Sequence, residues 1–252
     1  MTQQQYELDL FTIRQFEYAI NSPYCQILSI SVSKQFLESR AFDKYRDMFS
    51  KLKKKTKIVE SLESNRTKKD RGQIFAKVNL HTYHSSKSWM TSWKKKDVPA
   101  RILLLDQVQD PQNLGAMVRT AKFFNYDAVM VSKRNSAPFS STVVQASSGA
   151  LFSLPIICAN NLKREIDFLK ENYFFCLGLD TNASITLYDS KFLNENLIIV
   201  MGNEGKGMRA LTLSACDEVY KISQKPSFES LNVSAAASIA MYHFDYRKNK
   251  SD

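Results

Sequence analysis

Apolar and polar positions form two different patterns along the chain, and the change lies near residue 100. After residue 100, short apolar runs that end in turn residues alternate with segments of helical periodicity. The predicted strands span residues 101–105, 128–131, 154–157, 173–179, 197–201 and 218–222. The predicted helices span residues 113–124, 141–150, 162–171, 208–215 and 231–244. Short strands that alternate with helices predict an α/β domain around a mainly parallel sheet.

Residues 1–80 predict a separate, smaller α/β unit. Its predicted helices span residues 12–21, 34–38 and 45–53, and its predicted strands span residues 27–32, 57–59 and 74–78. Residues 81–99 are polar and lose this periodicity, which indicates a linker. Within it, Trp89 and Trp93 are four residues apart, and packing on a domain is favoured over stacking on RNA bases.

The positive charge belongs almost entirely to the first part of the chain. Of a net charge of +10, residues 1–99 contribute 19 Lys/Arg against 10 Asp/Glu, and residues 100–252 contribute 16 against 15. Dense basic runs occur at 51–57, 66–71 and 94–96. A single basic run is equally compatible with a solvated surface and with a binding site. Three runs in one segment, beside a nearly neutral second part of the chain, favour a polyanion-binding module. Such a module binds phosphates with little sequence specificity.

Cysteine spacing and hydropathy exclude several classes of protein. The four cysteines contain no CxxC pair and lie among apolar neighbours, which favours buried reduced thiols over disulfides or a metal site. The N-terminus has no basic segment followed by an apolar one, so it does not resemble a signal peptide. No apolar run approaches the ~18 residues of a membrane span. We therefore expect a soluble, cytoplasmic protein without a metal or a membrane partner.

The first candidate segment, DQVQDPQNLGAMVRTA at 106–121, follows the first strand of the larger unit. Pro111 favours a turn, and Asn113 stands at a helix start, where its side chain is suited to cap free N–H groups. Gly115 allows a close approach at the helix N-terminus. Taken alone, Asn113 as a helix cap and Arg119 as a surface cation are the default interpretation.

The second segment, IIVMGNEGKGM at 198–208, consists of a predicted buried strand followed by a loop with three glycines and one acidic residue. Gly202 and Lys206 do not have the spacing of a phosphate-binding P-loop, and the segment is not GxGxxG. Its glycines permit a ligand to lie flat against the backbone. A Gly-rich turn without a ligand is equally compatible.

The third segment, PSFESLNVSAAASIA at 226–240, places Ser230 and Asn232 before a helix whose first turns are almost all small residues. Small residues permit close packing of a neighbouring element, so helix packing alone also explains residues 235–237.

Together, the three segments closely resemble motifs 1, 2 and 3 of the SpoU (TrmH) RNA methyltransferases. DPQNLGAMVRTA, MGNEGKGM and ESLNVSAAASIA follow the family's order, and the resemblance covers residues 100–246. The basic first unit is similar to the ribosomal-protein-L30e-like domain of the RlmB branch. That match is looser, because the branch's usual His-Gln-Gly-Ile sequence is represented here by RGQI at 71–74.

The resemblance implies a trefoil-knotted, SPOUT-type α/β methyltransferase domain over 100–252 and a small L30e-like RNA-binding α/β domain over 1–80. It further implies a homodimer and S-adenosylmethionine as the cofactor. The residues that match the family's active-site positions are Asn113, Arg119, Glu204, Ser230 and Asn232. The residues that match its cofactor contacts are Gly202, Ile222 and Leu231.

The implied reaction is 2′-O-methylation of a ribose in RNA, and the RlmB-like layout indicates a guanosine of 23S-type large-subunit rRNA. The alternatives are a tRNA 2′-O-ribose methyltransferase and a non-catalytic RNA-binding or ribosome-assembly factor. One departure bears on the last of these. The family commonly has Ile-Pro-Met-x-Gly where this chain has ISQKP at 222–226, and the loop borders the adenine pocket, so cofactor affinity or loop shape is expected to differ. The active-site positions are intact, which argues against a non-catalytic role.

Overall fold

The computed structural model describes residues 4–60, 62, 73–93, 98–192, 194–223 and 230–248, without the side chains of 246–248. The basic runs predicted at 66–71 and 94–96 lie outside these ranges. Most of the 222–226 segment, where the sequence departs from the family pattern, also lies outside them, and only its Ile222 and Ser223 are described.

A four-stranded sheet forms the first unit. Its strands are β1 (Gln4–Leu10), β2 (Cys25–Ser33), β3 (Thr56–Val59) and β4 (Ile74–Thr82), in the order β1-β4-β2-β3. Only the β2–β3 pair is parallel. The helices are α1 (Ile13–Ile20), α2 (Lys34–Leu37) and α3 (Arg46–Lys51), with 3₁₀ turns at Arg40–Tyr45 and Lys53–Lys55.

Strand β1 was not predicted, although the sequence carries a signal for it. Tyr6, Leu8 and Leu10 alternate with two acidic residues, and Leu8 and Leu10 are buried in the sheet's core. This is the period of two that marks a half-buried strand.

The segment 81–99 contains structure that the linker interpretation did not predict. Strand β4 continues to Thr82, and helix α4 (Ser86–Ser92) begins with a reciprocal capping box between Ser85 and Ser88. Trp89 is 1% exposed, stacks on Trp93 with a centroid separation of 5.3 Å, and meets Phe174 edge-on. The packing role predicted for the two tryptophans is confirmed.

A seven-stranded sheet forms the second unit, and every described strand pair in it is parallel. Its strands are β5 (Arg101–Leu105), β6 (Ala128–Ser132), β7 (Ile156–Ala159), β8 (Phe174–Leu179), β9 (Ile185–Thr186), β10 (Asn196–Met201) and β11 (Glu218–Lys221), in the order β7-β6-β5-β10-β8-β11-β9. The predicted parallel α/β architecture is therefore confirmed.

The helices of this unit are α5 (Pro111–Phe123), α6 (Ser141–Ala146), α7 (Leu162–Glu171), α8 (Ala210–Leu213) and α9 (Val233–Lys248), with 3₁₀ turns at Ala150–Phe152 and Leu187–Asp189. The helix predicted for 141–150 was too long. Helix α6 ends four residues earlier, because Ser148 and Gly149 adopt positive φ angles of 50° and 82°.

The parallel sheet determines where loops can meet. Strands β5 and β10 are neighbours, with Leu105 opposite Met201, and both are buried along most of their length. The carboxyl ends of parallel strands share one edge, so the loops that follow β5 and β10 lie side by side. Sequence segments almost a hundred residues apart are thereby brought together.

The two units are in direct contact. Tyr83, which follows β4, forms a parallel bridge with Ile157 of β7. The ring of Tyr18 fills the space where a Cβ on Gly149 would lie, and the Ser22 hydroxyl donates a hydrogen bond to the Phe152 carbonyl. Among the described helices, none is long and apolar enough to cross a lipid bilayer.

Candidate functional site

A cavity of about 780 Å³ opens at the carboxyl edge of the parallel sheet. It lies between the ends of β8, β10 and β11 and the residues that lead into α9. Six residues predicted for the site contribute to its wall: Gly202, Glu204, Ile222, Ser230, Leu231 and Asn232. The cavity is therefore the candidate active site.

The glycine-rich loop after β10 folds back on itself. The backbones of Asn203 and Gly207 exchange two hydrogen bonds of 3.0 Å, and the Asn203 side-chain oxygen accepts bonds from the N–H groups of Gly205 and Lys206. A Cβ on Gly202 would lie 2.3 Å from the Gly207 carbonyl carbon. The loop's own backbone is therefore sufficient to require glycine at position 202.

Asp106 joins this loop to the end of strand β5, a role that the sequence did not reveal. Its carboxylate is fully buried and accepts bonds from Arg209 Nε at 2.7 Å and from the Arg209 backbone N–H at 3.0 Å. In parallel, Asn203 Nδ2 donates to the carbonyl of Gln107, whose φ is 60°. An acidic residue directly after four consecutive apolar residues, 102–105, was the available signal.

Asn113 does not cap helix α5, contrary to the default interpretation. The cap is Asp110, whose side chain accepts a bond from the Gln112 N–H at 2.9 Å. Asn113 lies inside the first turn and is buried. Its Nδ2 donates to Glu204 Oε1, and its Oδ1 accepts from Asn232 Nδ2, each at 3.1 Å. One side chain therefore connects all three sequence motifs.

Asn232 also fixes the start of helix α9. Its Oδ1 accepts bonds from the Ser234 N–H at 2.8 Å and the Ser234 hydroxyl at 2.6 Å. Further along, the hydroxyls of Thr120 and Ser238 lie 3.4 Å apart, so α5 and α9 run side by side in the same direction. Motifs 1 and 3 thus form one packed pair of helices. The start of α9 contributes to the cavity wall, whereas Asn113 of α5 lies behind Glu204 and Asn232 and does not line the cavity.

Gly115 allows a close approach, as predicted. The element that approaches it is helix α6. A Cβ at this position would lie 2.5 Å from Ala146 Cβ and 2.9 Å from the Ser147 nitrogen. The glycine lets α5 approach α6, and no part of the cavity wall depends on it.

Arg119 stands apart from the other predicted site residues. It lies about 9 Å along the α5 axis from Asn113, is exposed, and does not contribute to the cavity wall. Within the described ranges, no hydrogen bond or ion pair occupies its guanidinium group. The structure therefore leaves this cation available to an anion outside the cavity.

Several cavity residues were missed by the sequence reasoning: Leu179, Asp180, Thr181, Asn182 and Tyr220. Most follow strands β8 and β11, whose ends carry no glycine cluster to mark them. Burial is the main reason that the pKa of Tyr220 rises to about 12, and its hydrogen bond to Glu218 raises the pKa further. Tyr220 is therefore neutral at pH 7 and cannot serve as a base there.

Comparisons with known proteins show the family to which the chain belongs. The model of the SpoU rRNA Methylase family matches residues 100–242, a range that contains all three motifs. A Staphylococcus epidermidis protein, whose name assigns it to the TrmH family of tRNA/rRNA methyltransferases, is 38% identical over 175 residues. The match covers 69% of this chain and 70% of that protein.

Solved structures resemble the chain over nearly its whole length. The SpoU methyltransferase AviRb of Streptomyces viridochromogenes, in complex with the cofactor AdoMet, superimposes with a TM-score of 0.78 at 19% identity, covering 96% of this chain and 91% of AviRb. A structure described as an RNA 2′-O ribose methyltransferase gives a TM-score of 0.70 at 21% identity and covers 97% of this chain and 89% of that one. At these identities the likeness shows a shared fold.

Proposed function

This chain belongs to the SpoU rRNA methylase family, and we propose that it methylates a ribose 2′-oxygen in RNA with S-adenosylmethionine as the methyl donor. The observation that carries the proposal is the hydrogen-bonded chain Glu204–Asn113–Asn232, which joins motifs 1, 2 and 3 and places Glu204 and Asn232 in the wall of one cavity. The structural neighbours named as an AdoMet complex and as an RNA 2′-O ribose methyltransferase support the same reaction.

The cavity fits the proposed cofactor in its chemistry. Leu179, Ile222 and Leu231 supply apolar surface for an adenine ring, while Glu204 and Asp180 supply carboxylates that complement a cation. When bound, S-adenosylmethionine supplies a methyl group on a positively charged sulfur. Backbone groups of the loop after β10, together with Ile222 and Leu231, would hold it.

The hydrogen bonds suggest how the active-site residues divide the work. Both ends of the Asn113 amide are occupied, so we assign Asn113 the task of holding the Glu204 and Asn232 loops in register. Ser230 is exposed in the cavity wall and is the better candidate to orient the sugar. A site that aligns oxygen, methyl group and sulfur in this way gains its rate from positioning.

Arg119 is proposed to bind a phosphate beside the target ribose. Arginine holds its proton too tightly to act as a base, whereas a guanidinium matches phosphate geometry and stabilises negative charge that develops on the attacking oxygen. The proton of the 2′-hydroxyl then passes to that phosphate or to water. The exposed and unoccupied position of Arg119 supports this role.

The test compares Arg119→Ala with Arg164→Ala, which removes an exposed arginine from helix α7. Arg119→Ala is expected to lower the single-turnover methylation rate about 100- to 1000-fold, while S-adenosylmethionine binding by calorimetry stays within twofold of wild type. Arg164→Ala is expected to keep the wild-type rate. A full methylation rate in Arg119→Ala would overturn the proposed role.

For the substrate, we propose a guanosine of 23S-type large-subunit rRNA, bound in part by the basic first unit. Mapping 2′-O-methyl sites in rRNA and tRNA from cells with and without the gene tests this directly. Loss of a site in tRNA alone would replace the rRNA assignment with the tRNA alternative. If the protein fails to bind S-adenosylmethionine in calorimetry, it is the non-catalytic RNA-binding factor.

We further propose that the chain forms a homodimer through α5 and α9 and that residues 100–252 contain the family's trefoil knot behind a small L30e-like domain. Apolar side chains are exposed along this face: Phe123 at 81%, Tyr242 at 54%, Leu231 at 48% and Ile239 at 42%. Exposed apolar side chains gathered on two neighbouring helices are expected to be covered by another surface. Ile239→Glu should convert a dimer to a monomer in sedimentation equilibrium, and a wild-type monomer would contradict the proposal.

A further inference from the structure

Asp180 places a carboxylate on the cavity wall at the end of strand β8. Its backbone is fixed, because its N–H donates to the Tyr220 carbonyl at 2.9 Å and its carbonyl accepts from the Ala183 N–H. One carboxylate oxygen, Oδ1, accepts a bond from the Asn182 N–H at 2.8 Å. The side chain is therefore held in one orientation by its own turn.

The second carboxylate oxygen of Asp180 faces the glycine-rich loop. If Gly207 carried a Cβ, that atom would lie 3.4 Å from Oδ2. Oδ2 is therefore next to Gly207, on the side of the cavity that the loop forms. In the part of the chain that the structure describes, no donor is bonded to Oδ2. The other carboxylate of the cavity wall, Glu204, accepts a bond from Asn113 through Oε1 and is exposed, whereas Asp180 is half-buried.

A half-satisfied carboxylate in a cavity favours a ligand that brings a hydrogen-bond donor, and more so a ligand that is cationic. We propose that Asp180 is a direct ligand of the S-adenosylmethionine cofactor, to which Oδ2 accepts a hydrogen bond. This inference rests on the proposed function, because that function supplies the ligand. The donor is either the ammonium group of the methionine moiety or a ribose hydroxyl.

The experiment measures binding by calorimetry to the full-length protein. Asp180→Asn keeps an acceptor for the Asn182 N–H and removes only the charge and the free carboxylate oxygen. Asp180→Ser serves as a second variant with a short oxygen acceptor for the same turn. Glu171→Gln, at the exposed end of α7, is the matched control for the change in net charge. Thermal unfolding of each variant checks that it folds.

Asp180→Asn is expected to weaken S-adenosylmethionine binding about 10- to 100-fold, the effect of losing a hydrogen bond to a charged group, while Glu171→Gln stays within twofold of wild type. S-adenosylhomocysteine and 5′-methylthioadenosine identify the donor. Equal weakening for all three ligands indicates a ribose hydroxyl. Weakening for S-adenosylmethionine and S-adenosylhomocysteine that spares 5′-methylthioadenosine, which has no amino-acid group, indicates the ammonium.

Two outcomes would overturn the inference while leaving the proposed function intact. One is unchanged binding of S-adenosylmethionine in a folded Asp180→Asn protein. The other is weakening confined to S-adenosylmethionine, which would mean that Asp180 acts on the sulfonium charge at a distance and accepts no hydrogen bond. Failure of the wild-type protein to bind S-adenosylmethionine would instead refute the proposed function itself.

Discussion

The two sheets of this protein carry their polar chemistry in opposite ways. The four-stranded sheet has a half-buried central strand, β4, on which buried and partly exposed residues alternate strictly, and its cations lie on the surface. The seven-stranded sheet has central strands that are buried along their length, and its functional polar groups are gathered at one edge. The first arrangement is suited to a diffuse polyanion, and the second to one ligand in one orientation.

This contrast predicts where single substitutions should matter. The exposed lysines of the run at 51–57 contribute to one summed positive potential. Neighbouring lysines can therefore compensate for the loss of any one of them. Groups such as Asn113 and Asp106 are buried and bonded on both sides, so each acts through its position. We expect large and specific effects at the edge of the seven-stranded sheet and small, cumulative effects on the four-stranded unit.

The largest expected effect concerns the segment between the two sheets. Trp89→Ala removes a buried ring that packs on Trp93 and Phe174, and it should lower the free energy of unfolding by about 3–5 kcal/mol. Denaturant unfolding measures this. The control is Tyr173→Ala, since that ring is 85% exposed and its loss should change stability little. A near-neutral Trp89→Ala would mean that helix α4 is not an integral part of the second core.

A smaller effect is expected at the cavity, where two glycines of one loop provide a matched pair. A Cβ at Gly202 would lie 2.3 Å from backbone, whereas a Cβ at Gly205 would meet only Asn203 Oδ1, at 3.9 Å. Gly202→Ala should weaken S-adenosylmethionine binding about 10- to 100-fold, because overpacking by about 1–3 kcal/mol distorts the loop. Gly205→Ala should bind normally in the same calorimetric titration. Equal affinities for the two variants would show that the loop adapts to either change.

The smallest effect per residue is expected on the four-stranded unit. Lys51, Lys53, Lys54 and Lys57 are exposed, while Lys55 donates to the Ile27 carbonyl. Replacing those four by Gln should weaken RNA binding roughly 3- to 10-fold at physiological salt and reduce the salt slope of log K by up to about 3. Filter binding across a salt series measures both quantities, and S-adenosylmethionine binding should not change.

The matched control for the lysine variant removes four cations from the seven-stranded unit: Lys122, Lys163, Arg164 and Lys191. If RNA binding depended equally on both sets, the contrast between a diffuse basic unit and a localised catalytic unit would be wrong.

Much of the fold was predictable, because local patterns report burial. The apolar runs of the second unit gave its central strands, and helix α7 lies at the predicted residues. Strand β1 has the period-two alternation of a half-buried strand, although it was not predicted. Helix α4 was not predicted because its sequence is polar, but Ser85 and Ser88 form a capping box, and serine is common at helix starts as well as in linkers. The errors at helix ends have a local cause too, such as the positive φ angles at Ser148 and Gly149.

The candidate site was predictable only as a set of residues. Gly202, Glu204, Ile222, Ser230, Leu231 and Asn232 do meet at one cavity, but Asp106 and Asp180 were not singled out, since a lone acid after a strand is common. The sequence also did not show which neighbouring atoms require a glycine at positions 115 and 202. Gly115 faces helix α6, and Gly202 faces the backbone of its own loop.

The amino-acid sequence alone predicted most of the helices and strands, the division of charge and the three motifs, because periodicity and residue type are local properties that record burial and turn formation. Which motifs touch depends on the arrangement of strands and helices in three dimensions. The insertion of β10 between β5 and β8, and the pairing of α5 with α9, place Asn113 between Glu204 and Asn232. Those contacts join residues about a hundred positions apart, and no local pattern encodes a partner at that distance.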